Sequence, residues 1–242
     1  MFSYSKVECF KSCPFKYKLR YIDKLRTLPD IKADNALFLG LGLHKGIETT
    51  PEQGVLEYQN NFYMLTDDIL NWSMQLEYRA RQVKEMLPEG GIHEAEIKTD
   101  DFIGYIDYLT DDIFDFKFTV PKNYPRYMTS KQLHLYKAYW ELVHPDQPIR
   151  HLKYVLIPKV NIRQKKTETL LQFRERLLDE MRYSNPEIVE VPYDETMITS
   201  FKEDCKALET ATDYPKNETP LCNWCEYRQY CQSNGKIDWN IC

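Results

Sequence analysis

The chain has 242 residues, 29% of them charged and 14% aromatic, with only eight glycines; this excludes a disordered polymer and fits one sizeable core with room for a small appended module. A net charge of −5 argues against indiscriminate binding to nucleic acid, and no apolar run approaches the roughly 18 residues of a membrane span. Residues 1–6 carry no signal-peptide apolar block, so a cytoplasmic location is expected, where seven cysteines are better read as metal ligands than as disulfides.

Residues 3–26 alternate basic and aromatic positions and read as helix or helix-turn. Lys6, Lys11, Lys16, Lys18, Arg20, Lys24 and Arg26 stand there against only Glu8 and Asp23. A second basic stretch holds Arg150, Lys153, Lys159, Arg163, Lys165 and Lys166. Each patch can follow a phosphate backbone or be an ordinary solvated face. Pro29 and the polar residues 30–35 mark a loop, and a helix starts at Ala36. Gly40, Gly42 and Gly46 inside that helix cost about 1 kcal/mol each, which points to close backbone packing. Gly40 and His44 share a face. A lone histidine on an apolar helix is ordinarily a core residue, unless a neighbour needs a nitrogen ligand. Residues 52–87 read as helical, with a break near 66–68 and an end at 88–91.

Residues 93–99, 102–109 and 113–120 form a three-stranded meander. If its second hairpin is symmetric about Asp111, Asp107 and Asp115 face each other across the strands, and Lys117 joins them by the period of two. Ile106, Phe114 and Phe116 then point into the core. Two adjacent carboxylates repel in water, and a divalent cation relieves that cost. The alternative is a solvated hairpin edge with Asp and Lys paired. Glu94 and Glu96 share one face of the first strand, and the pattern does not choose which of them joins as a third carboxylate. Residues 129–143 read as a helix carrying Gln132 and Tyr136 on one face. Residues 151–158 return as a strand through a β-α-β crossover. Further helices are expected at 167–183 and 193–211.

Near the C-terminus, Cys222, Cys225 and Cys231 form C-x2-C-x5-C. A C-x2-C turn aims two thiolates at one centre, and the third nearly completes a four-ligand site. The fourth ligand would come from Cys9, Cys13, Cys205 or Cys242. Spacing alone does not choose between zinc and iron–sulfur, and unliganded thiols are the plainer alternative.

The ordered set Gly40…His44, Gly104-Tyr105-Ile106-Asp107, Asp115-Phe116-Lys117 and Gln132…Tyr136, with Ser5, Phe10, Cys13 and Pro14 near the start, resembles the PD-(D/E)XK nuclease superfamily. Within it, the resemblance is to RecB-like exonucleases that include CRISPR-associated iron–sulfur nucleases and their phage relatives. One departure is Asp115, where many relatives have Glu. The resemblance implies an α/β restriction-endonuclease-like core: a central mixed β-sheet flanked by helices. Residues 36–190 would form the nuclease core with a helical insertion at 52–90. Residues 1–35 would supply one cluster ligand, and 191–242 would form the C-terminal iron–sulfur segment.

It also implies a divalent-metal-dependent DNA exonuclease using Mg²⁺ or Mn²⁺, in a bacterial, archaeal or phage-infected cell. The implied metal ligands are His44, Asp107, Asp115 and the Phe116 carbonyl; the catalytic set is Asp107, Asp115, Lys117, Gln132 and Tyr136. Cys13, Cys222, Cys225 and Cys231 would hold a 4Fe-4S cluster, with zinc the other occupant considered. Single-stranded DNA is the favoured substrate, in recombination, repair or CRISPR-type processing. A helicase, recombinase or integrase is the expected partner, homo-oligomers occur among the relatives, and no membrane is involved. The rival reading is a DNA-binding module inside a recombination or spacer-acquisition complex. The intact Asp107, Asp115 and Lys117 speak against it.

Overall fold

The computed structural model describes residues 1–28, 30–233 and 235, so Pro29 and Cys242 lie outside the described residues. Two compact units emerge: Met1–Asp30 with Lys98–Gly104 and Asp194–Cys242, and Ile31–Ile97 with Tyr105–Tyr193.

In the first unit, helix α1 (Tyr4–Ser12) starts where Ser3 Oγ accepts the Lys6 N–H, 3.2 Å. Cys13 breaks the helix in extended conformation and caps α2 (Pro14–Tyr17) through its sulfur, which accepts the Lys16 N–H at 3.5 Å. A π-helical turn follows at Lys18–Ile22.

The second unit begins with α3 (Ala36–Glu48), capped by Asn35, whose Oδ1 accepts the N–H groups of Leu37 and Phe38. It lies against α4 (Pro51–Gln59) almost backbone to backbone: a Cβ on Gly54 would sit 2.3 Å from the Gly42 carbonyl oxygen. Close packing therefore explains Gly42 and Gly46. It does not explain Gly40, which has no atom within 4 Å of where its Cβ would be. Helix α5 (Asp67–Met86) opens with Thr66 as cap, after the break expected there. Its Arg79 is fully buried and has no carboxylate partner among the described residues: the guanidinium donates to the carbonyls of Pro158 (3.2 Å) and Met181 (3.1 Å), to Gln82 Oε1 and to Ser184 Oγ.

Strands β1 (Ile92–Lys98), β2 (Ile103–Leu109) and β3 (Ile113–Thr119) form the meander. The chain then passes α6 (Pro125–Met128) and α7 (Gln132–Val143) to β4 (Leu152–Pro158), which lies parallel to β3. The sheet order is β1-β2-β3-β4-β5, with β5 (Glu187–Val191) antiparallel to β4 after helix α8 (Leu170–Tyr183). This mixed five-stranded sheet flanked by helices is the α/β core that the resemblance implied. The sequence pattern contains no expectation of β5, because only Val191 of its five side chains is buried and its pairing runs through the backbone.

Strand alternation gives the sheet two faces. Phe114, Phe116, Val155 and Ile157 pack with Leu39, Leu43, Ile47 and Leu76 into one core cluster. The intervening Asp115, Lys117, Tyr154 and Leu156 face the other way, and α7 packs on β3 and β4.

Back in the first unit, α9 (Thr196–Glu209) packs on α1, and a 3₁₀ turn (Pro220–Trp224) leads to α10 (Arg228–Gln232). Among the described residues no helix is long and apolar enough to cross a membrane.

Candidate active site

The β2–β3 hairpin sets the geometry. Its ladder pairs Tyr108 with Phe114 and Leu109 with Ile113, the register expected for symmetry about Asp111. In that register the next hydrogen-bonded pair would join Ile106 to Phe116. The ladder stops before it. Instead Asp107 Oδ2 accepts the Phe116 N–H at 2.7 Å, so a side chain takes over the donor that the parted strand leaves open. Asp107 and Asp115 therefore flank the point where the two strands diverge.

His44 comes to this point from α3: its Nδ1 lies 3.4 Å from Asp107 Oδ1, and its ring packs edge-on against Phe116. Glu94 arrives from β1 with φ at +51°, a left-handed conformation uncommon for a non-glycine residue. Donor atoms of His44, Glu94 and Asp107 all lie within 4.8 Å of one another. Glu96, the other candidate, is instead the acceptor for the Tyr105 hydroxyl at 3.0 Å.

Asp115 is 1% exposed, and Lys117 Nζ lies 2.5 Å from its Oδ2. The contact is an ion pair by distance but is not angled as a hydrogen bond, so that buried oxygen has no aligned donor. The Lys117 ammonium also donates to Gln132 Oε1 at 3.0 Å and sits over the rings of Tyr127 and Tyr154. Gln132 passes the chain on, donating through Nε2 to the Tyr136 hydroxyl at 2.9 Å. Asp115, Lys117, Gln132 and Tyr136 of the expected catalytic set thus form one chain of contacts, while Asp107 bonds the Phe116 N–H beside it and lies next to His44. Of the expected metal ligands, His44 and Asp107 share a donor group with Glu94, while Asp115 turns an oxygen to Lys117.

The charges respond to burial. Desolvation, only partly offset by His44, pushes the Asp107 carboxyl up to about 7. Burial alone would lower Lys117, but Asp115 and Asp107 beside it hold its ammonium above the ordinary value. Burial, together with the neighbouring Asp115, keeps the Tyr136 hydroxyl protonated well past the usual tyrosine range. The site therefore holds a firmly charged lysine against carboxylates that gain by sharing a cation. One imidazole nitrogen and two carboxylate oxygens at this spacing, next to a buried oxygen without an aligned donor, suit a divalent ion.

Residues 1–232 match the family described as the PD-(D/E)XK nuclease superfamily. The chain belongs to that superfamily. The fold of this PD-(D/E)XK protein is also similar to that of a solved protein titled "Putative exonuclease" from Eubacterium rectale. The TM-score is 0.62 at 12% identity, covering 99% of this chain and 90% of that one. No curated protein matches the chain.

Sequence reasoning missed Tyr127 and Tyr154. Tyr154 was readable once the parallel register was known, since it pairs with Asp115. Tyr127 carried a fainter signal, its place in a long stretch without acidic residues.

The second cluster of candidate ligands lies in the first unit. Cys13, Cys222, Cys225 and Cys231 all line one cavity of about 870 Å³, together with Lys16, Lys216 and Arg228. Two of the sulfurs accept backbone N–H groups: Cys13 from Lys16 and Cys222 from Thr219, each at 3.5 Å. Burial raises the Cys225 and Cys231 thiols, and nearby Lys16 and Lys216 respectively pull them back. Cys9 is buried on α1, Cys205 lies on α9, and neither lines this cavity.

Proposed function

We propose that this PD-(D/E)XK protein is a divalent-metal-dependent deoxyribonuclease that degrades single-stranded or end-accessible DNA as an exonuclease. The observation that carries the reading is the convergence of His44, Glu94 and Asp107 on one point beside the buried Asp115–Lys117 pair. His44, Asp107 and Asp115, with Glu94 and the Phe116 carbonyl as further donors, would hold Mg²⁺ or Mn²⁺, which would supply water activation and charge neutralisation at the phosphate. Lys117, kept charged by Asp115, orients the attacking water and balances the growing negative charge. Gln132 fixes the lysine head and the Tyr136 hydroxyl, whose retained proton is available to a phosphate oxygen of the strand.

The four cysteines extend the reading to the RecB-like iron–sulfur subgroup. Four thiols on one cavity, two of them receiving backbone N–H groups, fit a 4Fe-4S cluster, in which hydrogen bonds to sulfur tune the metal. It would join residues 1–35 to 191–242, with residues 36–190 as the nuclease core. Recombination, repair or CRISPR-type DNA processing is the setting this subgroup suggests, with a helicase, recombinase or integrase as partner.

The test is end-labelled single- and double-stranded DNA incubated with purified protein under Mg²⁺ or Mn²⁺ titration. Cleavage that falls at least about 10²-fold in Asp115→Ala and Lys117→Ala, with unchanged circular dichroism, is the expected outcome. Undiminished cleavage in both variants overturns the site assignment. DNA binding without any metal-dependent cleavage by the wild type would instead favour the DNA-binding module.

A further inference from the structure

Residues 116–140 contain Lys117, Lys122, Arg126, Lys131 and Lys137 and no aspartate or glutamate, within a chain whose net charge is −5. This run includes the connector from β3 to α7, so it leaves the site at Lys117 and re-enters it at Gln132. Near its middle, α6 presents Arg126 and Tyr127 as neighbours. The Tyr127 ring serves two cations. Its centre is 5.8 Å from the Lys117 ammonium and 4.7 Å from the Arg126 guanidinium carbon. Tyr154 packs against the same ring, 5.6 Å away centre to centre.

Arg126 itself is exposed. Among the described residues it makes no ion pair, and its guanidinium donates only to the Tyr127 hydroxyl, at 2.6 Å. An arginine kept for solubility or stability usually finds a carboxylate or is free to sweep through solvent. This one is held in place by a ring and a hydroxyl, with most of its donor fork unused. Such a fork matches a phosphate, which it can engage through two parallel N–H groups.

We propose that Arg126, mounted on Tyr127, binds a backbone phosphate of the DNA strand next to the one positioned at Lys117. The acid-free connector forms the track along which that strand leaves the site. The inference rests on the nuclease reading above and adds a substrate contact to it. Lys117 and Arg126 both lie over a single ring, 5.8 Å and 4.7 Å from its centre, so one strand can reach both cations. Tyr127 is a positioning residue in this arrangement: its ring walls the lysine, and its hydroxyl aims the arginine. Phosphate contacts of this kind fix register without reading sequence.

The experiment measures binding of a fluorescein-labelled, mixed-sequence single-stranded oligodeoxynucleotide by the full chain in Ca²⁺, over a series of salt concentrations. Cleavage kinetics in Mn²⁺ are measured alongside. Arg126→Ala is expected to weaken binding about tenfold, as for loss of a charged hydrogen bond, and to reduce the slope of log K against log salt by about 0.7. In cleavage, the loss falls mainly on KM. Tyr127→Phe keeps the ring and removes the hydroxyl, so it follows Arg126→Ala in binding, whereas Tyr127→Leu also lowers kcat. Arg182→Ala, which removes an exposed arginine paired with Asp179, leaves the salt slope unchanged. If wild-type protein cleaves and Arg126→Ala retains both the wild-type affinity and the wild-type slope, the phosphate contact is overturned while the nuclease reading stands. If wild type neither binds nor cleaves the oligonucleotide, both fall together.

Discussion

Lys117 is the residue in which the opposing forces are plainest. Desolvation works against its charge, and Asp115 and Asp107 overcome desolvation, so the ammonium stays where a phosphate would need it. The motif Asp-Phe-Lys was readable as a motif, and the register about Asp111 was readable from the turn. The choice between Glu94 and Glu96 was not. In a regular strand two residues apart face the same way, so alternation gives both carboxylates equal standing. The left-handed φ at Glu94 breaks that equivalence, and no composition rule announces it. The difference can be measured. Glu94→Ala is expected to raise the Mn²⁺ concentration needed for half-maximal cleavage by about tenfold or more, the scale of loss seen when a metal site's supporting groups are removed. Glu96→Ala, which frees only the exposed Tyr105 hydroxyl, leaves it within twofold of wild type, about 0.4 kcal/mol. Equal effects from the two variants would remove Glu94 from the ligand set.

At the scale of elements, the site depends on a helix crossing and a strand fork. His44 is carried by α3, and the position of α3 is fixed by α4 packing into it at glycines. A methyl at Gly54 would meet backbone atoms of Gly42 and Gly46 at 2.3–2.6 Å, contacts that no side-chain rotation can relieve. Gly54→Ala should therefore destabilise the chain by about 1–3 kcal/mol or force the helices apart. Displacing α3 also moves His44, so metal affinity falls with stability. Gly40→Ala has open space and a helical backbone, and stability should rise by up to about 1 kcal/mol. Urea denaturation midpoints for the two variants check this contrast, and a stable Gly54→Ala would refute the close crossing. The fork between β2 and β3 was legible only in part. Opposed carboxylates at 107 and 115 followed from the turn, whereas the early end of the ladder depends on Asp107 capturing a backbone N–H. Strand β5 escaped the pattern altogether, because an edge strand with one buried side chain has almost no apolar alternation to read.

On the scale of the whole molecule, the cysteines address a problem that the sheet does not. The first unit gathers its residues from both ends of the chain and from the short turn at 98–104, so its parts are far apart in sequence. Bringing such ends together is entropically unfavourable in the unfolded chain, and a covalent or metal link between them removes much of that cost. For a closed loop running from residue 13 to residue 222, the chain-entropy estimate is about 5 kcal/mol. Val7, Leu19, Phe102 and Phe201 are the deepest apolar side chains of the unit, and burying a side chain of that size stabilises by about 1.5–3 kcal/mol, so the link would add to a core of comparable worth. Metal at Cys13, Cys222, Cys225 and Cys231 is expected to stabilise this unit by an amount of that order. Purified protein is expected to be brown, with broad visible absorption that disappears in Cys222→Ser. Removing the metal should make residues 1–30 and 194–235 sensitive to protease. Mn²⁺ binding is read separately by calorimetry, because the group that could hold it, His44, Glu94 and Asp107, belongs to the other unit. Colourless protein with stoichiometric zinc would replace the cluster by a zinc clasp and keep the entropic argument. Metal-free protein with unchanged protease resistance would remove that argument, since the cysteines would then be holding nothing together.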